Sequence, residues 1–291
     1  MMFLPFCTTL SLRRTLRFLL LAGLVSASAC TDEPDPTAPT RDDNLALGNP
    51  SGATTDEKQP TNYLLSKPQF ALSYHRDRGI PNWVSWHLSS AWLGSAPRQD
   101  DFRTDAALPR GWYQVTTGSY TGSGFDRGHN CPSADRTRTL DDNSATFLMT
   151  NIMPQAPNNN QRTWVGLENY CRTLVDQGNE LYIICGSYGR GGTGSNGYAT
   201  TLDDGRVTVP ARCWKVVVVL PVGTDDARRV SADTRVIAIN TPNRNDLNSD
   251  WAGYRTSVDA IEQATGLDLL SAVSTAVQAT IEARVDNGPT Q

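Results

Sequence analysis

Hydrophobic and polar positions follow several distinct patterns along this chain. Near the start, Arg13, Arg14 and Arg17 precede an apolar run over 18–25, and Ala27-Ser28-Ala29 leads into Cys30. That order of basic, apolar and small residues predicts a secretory signal over 1–29. The run falls short of the roughly 20 residues a membrane span needs. Alternating apolar residues over 69–75 and 82–88 predict two strands. Largely apolar runs over 181–185, 214–220 and 236–239 predict strands near the centre of a sheet. Between 161 and 176, Trp164, Leu167, Cys171, Leu174 and Val175 share one face, which predicts a helix stopped at Gly178. Further helices are expected over 256–265, closed by Gly266, and over 268–284. Residues 89–125, punctuated by Gly and Pro, read as loop.

Between the signal and the first strand, residues 30–61 are rich in Pro, Asp, Thr and Gly without a period, the composition of a linker or tether. No second linker or internal repeat interrupts the remainder. The expected organisation is one domain over 62–291, of α+β class, with a central, mostly antiparallel sheet flanked by helices. At 38% hydrophobic residues the chain has material for a real core, which excludes disorder. Its formal charge of −4 excludes a globally basic nucleic-acid coat, so phosphate recognition would need positive charge gathered locally. Cleavage after residue 29 would remove three Arg and no acid, taking the charge to −7. Only Lys58, Lys67 and Lys215 are lysines; the other cations are Arg, whose forked guanidinium suits phosphate.

Cysteine usage depends on the compartment. Cys30, directly after Ala27-Ser28-Ala29, resembles a bacterial lipoprotein box, although Ala27 stands where Leu is usual. Lipid attachment at Cys30 and simple secretion both stay open. Four cysteines follow, Cys131, Cys171, Cys185 and Cys213, and export favours disulfides among them, with three possible connectivities. No Cys-x-x-Cys pair is present and there are three histidines, so a structural zinc site is not expected.

The stretch Gly124-Phe125-Asp126-Arg127-Gly128-His129 carries the most chemical information. Its bland reading is a turn in which Gly128 allows an unusual backbone angle and Arg127 pairs with Asp126. Its chemical reading is a histidine base beside a phosphate-binding Arg. His75 and His87 lie in strand patterns and read as packing or strand-surface residues. A second cluster comprises Asn151, Pro154, Gln155, Asn158-Asn159-Asn160, Trp164 and Glu168. Asn160 suits a helix N-cap, or a hard oxygen ligand for Mg²⁺. Glu168 suits an i,i+4 pair with Arg172. The run from Gly189 to Gly194 fits Gly-x-Gly-x-x-Gly, but Ser195-Asn196-Gly197 continues a loop where dinucleotide binding requires a helix.

Taken together, Asp126-Arg127-Gly128-His129, Asn151-x-x-Pro154-Gln155, Asn160, Trp164 and Leu167-Glu168 resemble the DNA/RNA non-specific endonuclease family over residues from about 63 to about 285. The resemblance implies the ββα-metal (His-Me finger) fold and Mg²⁺-dependent hydrolysis of DNA and RNA to 5′-phosphate products, with Mn²⁺ or another divalent cation as a possible substitute. It implies His129 as general base, Asn160 as metal ligand, Arg127 on the scissile phosphate, Glu168 acting on the ion through water, and Asn151 as support. Arg98, before Phe102 and Asp105, matches a further family Arg, with Arg103 in competition. Asp126 would only orient its neighbours. Such a site reads phosphate backbone rather than base edges, so its partners would be DNA and RNA of any sequence. The alternatives are a narrower phosphodiesterase acting on small substrates, and an inactive surface lipoprotein that binds nucleic acid.

Overall fold

A computed structural model describes residues Asn44–Gln291; the expected signal, Cys30 and residues 30–43 of the expected tether lie outside the described residues. The strands in chain order are β1 (Tyr63–Ser66), β2 (Ala71–His75), β3 (Ile80–Leu88), β4 (Asp126–His129), β5 (Ile152–Gln155), β6 (Asn179–Tyr188), β7 (Gly192–Gly194), β8 (Gly197–Ala199), β9 (Thr201–Leu202), β10 (Val207–Thr208), β11 (Arg212–Pro221), β12 (Arg235–Pro242) and β13 (Arg255–Thr256). Seven of them form one sheet in the order β1-β2-β3-β6-β11-β12-β13, every pairing antiparallel. The long central strands are those expected from the apolar runs, each extended at both ends. The helices are α1 (Leu140–Ala145), α2 (Val165–Asp176), α3 (Asp226–Arg229), α4 (Val258–Thr265) and α5 (Thr275–Ile281). The helix expected over 268–284 is thus only α5, because 267–274 run as turns that tuck Leu269 and Leu270 into the core.

Alternation along the central strands sends side chains into two separate cores. One face of the sheet carries Trp86, Leu181, Ile183, Cys185, Cys213 and Val217, packed with Trp164, Leu167 and Cys171 beneath α2. The opposite face carries Trp83, Tyr182, Ile184, Trp214, Val216 and Val218, packed with Val258, Ile261 and Ile281 of α4 and α5. The period of two in a strand produces this division, and helices on both faces seal the sheet.

Residues 44–61, expected as part of a tether, are packed chain. Leu47 and Ala53 sit in the second core, the Asn44 side chain donates to the carbonyls of Lys67 and Pro68, and Thr54 bridges to Tyr63. The polar composition conceals two well-spaced apolar anchors. The expected disulfides are also absent among the described residues: Cys131, Cys171, Cys185 and Cys213 are all buried free thiols. Strand register accounts for one missing pair, since Cys185 lies opposite Lys215 and Cys213 opposite Ser187. Burial pushes the thiols of Cys131, Cys171 and Cys213 up to about 12, which keeps them protonated and inert.

Candidate active site

The hairpin β4–β5 and helix α2 form a ββα unit on the first face of the sheet. β4 pairs with β5 so that Gly128 faces Met153 and His129 faces Ile152. The expectation that Gly128 provides an unusual backbone angle is not met, because it lies in regular extended chain. Its role is close approach: a Cβ there would stand 2.4 Å from Gln155 Oε1 and 3.1 Å from the Met153 carbonyl. Beyond His129 the chain is fixed by Asn151, whose side chain accepts from the Cys131 amide and donates to the carbonyls of Cys131 and Thr146 at 2.8–3.0 Å. Asn151 therefore supports the loop that carries His129 and does not line the cleft itself.

His129 is buried between two phenyl rings, Phe102 and Phe147, with centroids 5.4 and 4.9 Å away, and its Nε2 has no hydrogen-bond partner. Burial, with Arg98 and Arg127 nearby, lowers its pKa to about 3, so the ring is neutral at physiological pH. The Arg127 guanidinium lies over the Phe102 ring at 4.1 Å and that of Arg98 over Phe147 at 4.8 Å. Arg98 is further set by Asp100 and by a bond to Ser133 Oγ. The two upstream arginines are placed differently. Arg103 turns away, bonded to Asp101 and the Ser144 carbonyl, while Arg98 enters the cleft.

Asn160 sits in a π-helical turn, Asn159–Trp164, that leads directly into α2. It is not an N-cap, since its own amide already donates to the Ala156 carbonyl within the helical spiral. π-turns are rare and are found disproportionately at functional sites, where the wider spiral redirects a side chain. The Asn160 Nδ2 donates to Asp126 Oδ2 at 2.8 Å, as does Gln161 Nε2, which fixes the amide and reserves its carbonyl oxygen for other partners. Asp126 thus bonds to the Asn160 turn, and the expected pair with Arg127 does not form.

In the first turn of α2, Glu168 is buried. It does not pair with Arg172, as the i,i+4 spacing suggests; its Oε1 accepts from Lys215 Nζ at 3.2 Å. Arg172 turns instead to the buried Asp135 at 2.7 Å. Lys215 comes from the middle of β11, is almost wholly buried, and lies over the Trp164 ring at 4.3 Å. Burial pushes the Glu168 carboxyl up, and Lys215 opposes that shift. For Lys215, burial acts downward and is the largest single influence, but Glu168 together with the other acidic groups around it, Asp135 among them, turns the net shift upward. Residue patterning does not reveal this partner. The available signal is one Lys within an otherwise apolar central strand, a placement that requires a buried counter-charge.

Arg98, Arg127, His129, Asn160, Glu168 and Arg172 line one cavity of about 360 Å³. A second, of about 420 Å³, shares Arg98, Arg127 and Asn160 and extends past Phe102, Tyr120 and Phe125. His87 lies on the opposite face of the sheet, its Nε2 2.9 Å from Glu180 Oε2 and its ring stacked on Tyr182, and takes no part in the cleft. His75, half-buried at the end of β2, is also absent from it. The Gly189–Gly194 segment leads into the β7–β8 hairpin and opens no helix.

The family model of the DNA/RNA non-specific endonucleases matches residues 48–276. A protein named Nuclease from Nostoc sp. is 51% identical over 271 residues, covering 92% of this chain and 96% of that one. The mitochondrial nuclease EXOG of Mus musculus is 28% identical over 225 residues, 74% of this chain and 57% of that protein. Nuclease C1 of Cunninghamella echinulata is 29% identical over 241 residues, 79% and 88% respectively. Among solved structures, the crystal structure of the EndoG/EndoGI complex matches with a TM-score of 0.67 at 21% identity, over 85% of this chain and 98% of the other. The hairpin-and-helix unit, the seven-stranded sheet and a family match over most of the chain agree: this protein belongs to the DNA/RNA non-specific endonuclease family, a nuclease of ββα-metal fold.

Proposed function

We propose that this chain is an exported, Mg²⁺-dependent endonuclease that hydrolyses DNA and RNA without regard to sequence or sugar, leaving 5′-phosphate ends. The observation that carries the reading is the cavity in which a neutral histidine, three arginines, an asparagine amide and a buried carboxylate meet. Hydrolysis of a phosphodiester needs a base for water, donors for the charge that builds on phosphorus, and help for the departing 3′ oxygen. His129, neutral and with its Nε2 unpartnered, is equipped to take the proton of the attacking water. Arg127 and Arg98, held over aromatic rings, donate to the phosphate oxygens where charge develops.

The donor set fits a hard divalent cation. The Asn160 carbonyl oxygen would hold it, Glu168, further along the same helical segment, would orient its hydration, and Asp126 would keep the Asn160 amide in place. When bound, Mg²⁺ would polarise the phosphate and stabilise the leaving oxygen. Asn151 acts at a distance, by fixing the loop after His129. Binding through phosphate oxygens, with no base or 2′ group needed, supports indifference to sequence and to the sugar.

Incubation of the purified protein with plasmid DNA and with total RNA, with and without EDTA, tests this reading. Cleavage of both polymers that stops with EDTA and resumes with Mg²⁺ is expected. Hydrolysis only of small phosphodiesters would overturn it in favour of a narrower enzyme, and binding without cleavage in favour of a nucleic-acid-binding protein. Export is tested separately. Cys30→Ser should release active nuclease from cells if the residue is lipidated, and metabolic labelling that leaves Cys30 unmodified would indicate plain secretion.

A further inference from the structure

A second charged cluster lies on the other face of the sheet, formed by α4 and the residue that follows α5. The carboxylates of Asp259, Glu262 and Glu282 each place an oxygen within 4.8 Å of the other two. Their accessibility is graded: Asp259 is exposed, Glu262 half-exposed, and Glu282 buried with its Oε1 free of any hydrogen-bond partner. A buried carboxylate oxygen with no donor is costly unless something cationic meets it. Among the described residues, no Lys or Arg forms an ion pair with it. The groups that act on Glu282 are its own burial, then Glu262, Asp259 and Asp268, all of one sign, and they push its carboxyl up to about 7. The cluster is also mechanically fixed. The Asp259 amide donates to the Glu282 carbonyl at 3.1 Å, Glu262 Oε1 accepts from the Leu269 amide at 2.7 Å, and Val258, Ile261 and Ile281 anchor both segments in the second core.

We propose that Asp259, Glu262 and Glu282 form a structural site for a divalent cation of calcium type, separate from the catalytic cleft. Three carboxylates with one open, solvent-facing side suit Ca²⁺, which takes six to eight oxygen ligands in flexible geometry and accepts water for the remainder. The smaller Mg²⁺, which demands an octahedral arrangement and dehydrates reluctantly, is the weaker occupant. The site ties the C-terminal segment to α4, so its occupancy reads out as stability of the fold. It does not touch the residues that face the phosphate.

The test is thermal unfolding of the EDTA-stripped full-length protein, titrated with CaCl₂ and separately with MgCl₂. Wild type should gain about 5 °C in Tm at saturating Ca²⁺, more than with Mg²⁺. Glu282→Gln removes one charge from the cluster. It should be at least as stable as wild type in EDTA, lose the Ca²⁺ response, and retain full cleavage in saturating Mg²⁺. Calorimetric titration should count one Ca²⁺ fewer per chain in Glu282→Gln than in wild type. Glu262→Gln gives the same readouts should the first variant fold poorly. A Ca²⁺ shift of equal size in wild type and both variants, or no shift in wild type, would overturn the proposal and leave Glu282 as a carboxyl that simply holds its proton.

Discussion

His129 illustrates how a residue's surroundings set its chemistry. Its pKa is lowered to about 3 by burial first and then by Arg98 and Arg127. The kcat/KM profile should therefore show no histidine limb near pH 6.5, and its acid limb should lie below about pH 5. Arg98→Gln removes a like charge, so that limb should move to higher pH while cleavage weakens. The same shift bears on stability. Between about pH 6.5 and 3 the unfolded chain binds a proton on His129 that the folded chain refuses, so this contribution is complete above 6.5 and is lost as pH falls through that window. His129→Ala should melt close to wild type and lose cleavage by about 10²- to 10⁴-fold. Near wild-type turnover in that variant would remove His129 from the base role. Asn160→Ser separates ligation from structure in a similar way. The fold loses one bond, to Asp126, at about 1 kcal/mol, because the backbone amide of residue 160 is satisfied by Ala156 whatever the side chain. Turnover should fall steeply and recover in part at raised Mg²⁺, because a Ser hydroxyl is shorter than the amide it replaces. Full activity at ordinary Mg²⁺ would leave the cation without its proposed protein ligand.

At the scale of elements, the β11–α2 contact explains why a lysine occupies a central strand. Lys215 and Glu168 are both withdrawn from water, and breaking such a pair leaves a charge stranded, at about 3 kcal/mol or more. Lys215→Met should unfold in urea at a lower midpoint and cleave DNA poorly, because burial would push the Glu168 carboxyl up without Lys215 to oppose it. The double variant Lys215→Met/Glu168→Gln should regain stability without activity. Failure of the double variant to recover stability would mean that Lys215 acts through packing on Trp164 rather than through its charge. Neither partner's role is legible from periodicity. The i,i+4 spacing points Glu168 at Arg172, whereas tertiary structure gives Arg172 to Asp135. What is legible are the elements with a strong pattern: the runs that became β6, β11 and β12, the apolar face of α2, and the glycine stop of α4 at Gly266, in left-handed conformation with φ 73°. His129, Asn160 and Glu168 are singled out as a set by the family resemblance, since each alone also has a bland reading, and the structure brings all three to one cavity. The packing of 44–61 is not, because Leu47 and Ala53 are isolated anchors within polar sequence. The thiol state is not legible either, since cysteine count and compartment carry no information about strand register.

For the whole molecule, the distribution of charge matters more than its sum. The chain carries a net −4, yet Arg98, Arg127 and Arg172 all border the cavity that holds His129. An acidic body with a local basic cleft binds polyanions through a few contacts and repels them elsewhere, so affinity should be modest and strongly salt-dependent. Each phosphate neutralised contributes about −0.9 to the slope of log affinity against log salt on duplex DNA. Arg172 is committed to Asp135, which leaves Arg98 and Arg127 to face phosphate. The expected slope of log kcat/KM against log NaCl for duplex DNA at fixed Mg²⁺ is therefore about −2, and Arg98→Gln should reduce it by about one. For a single-stranded substrate the same contacts should give a shallower slope, near −1.4. A slope much steeper than −2, unchanged in Arg98→Gln, would show that an extended surface beyond the cleft carries the binding.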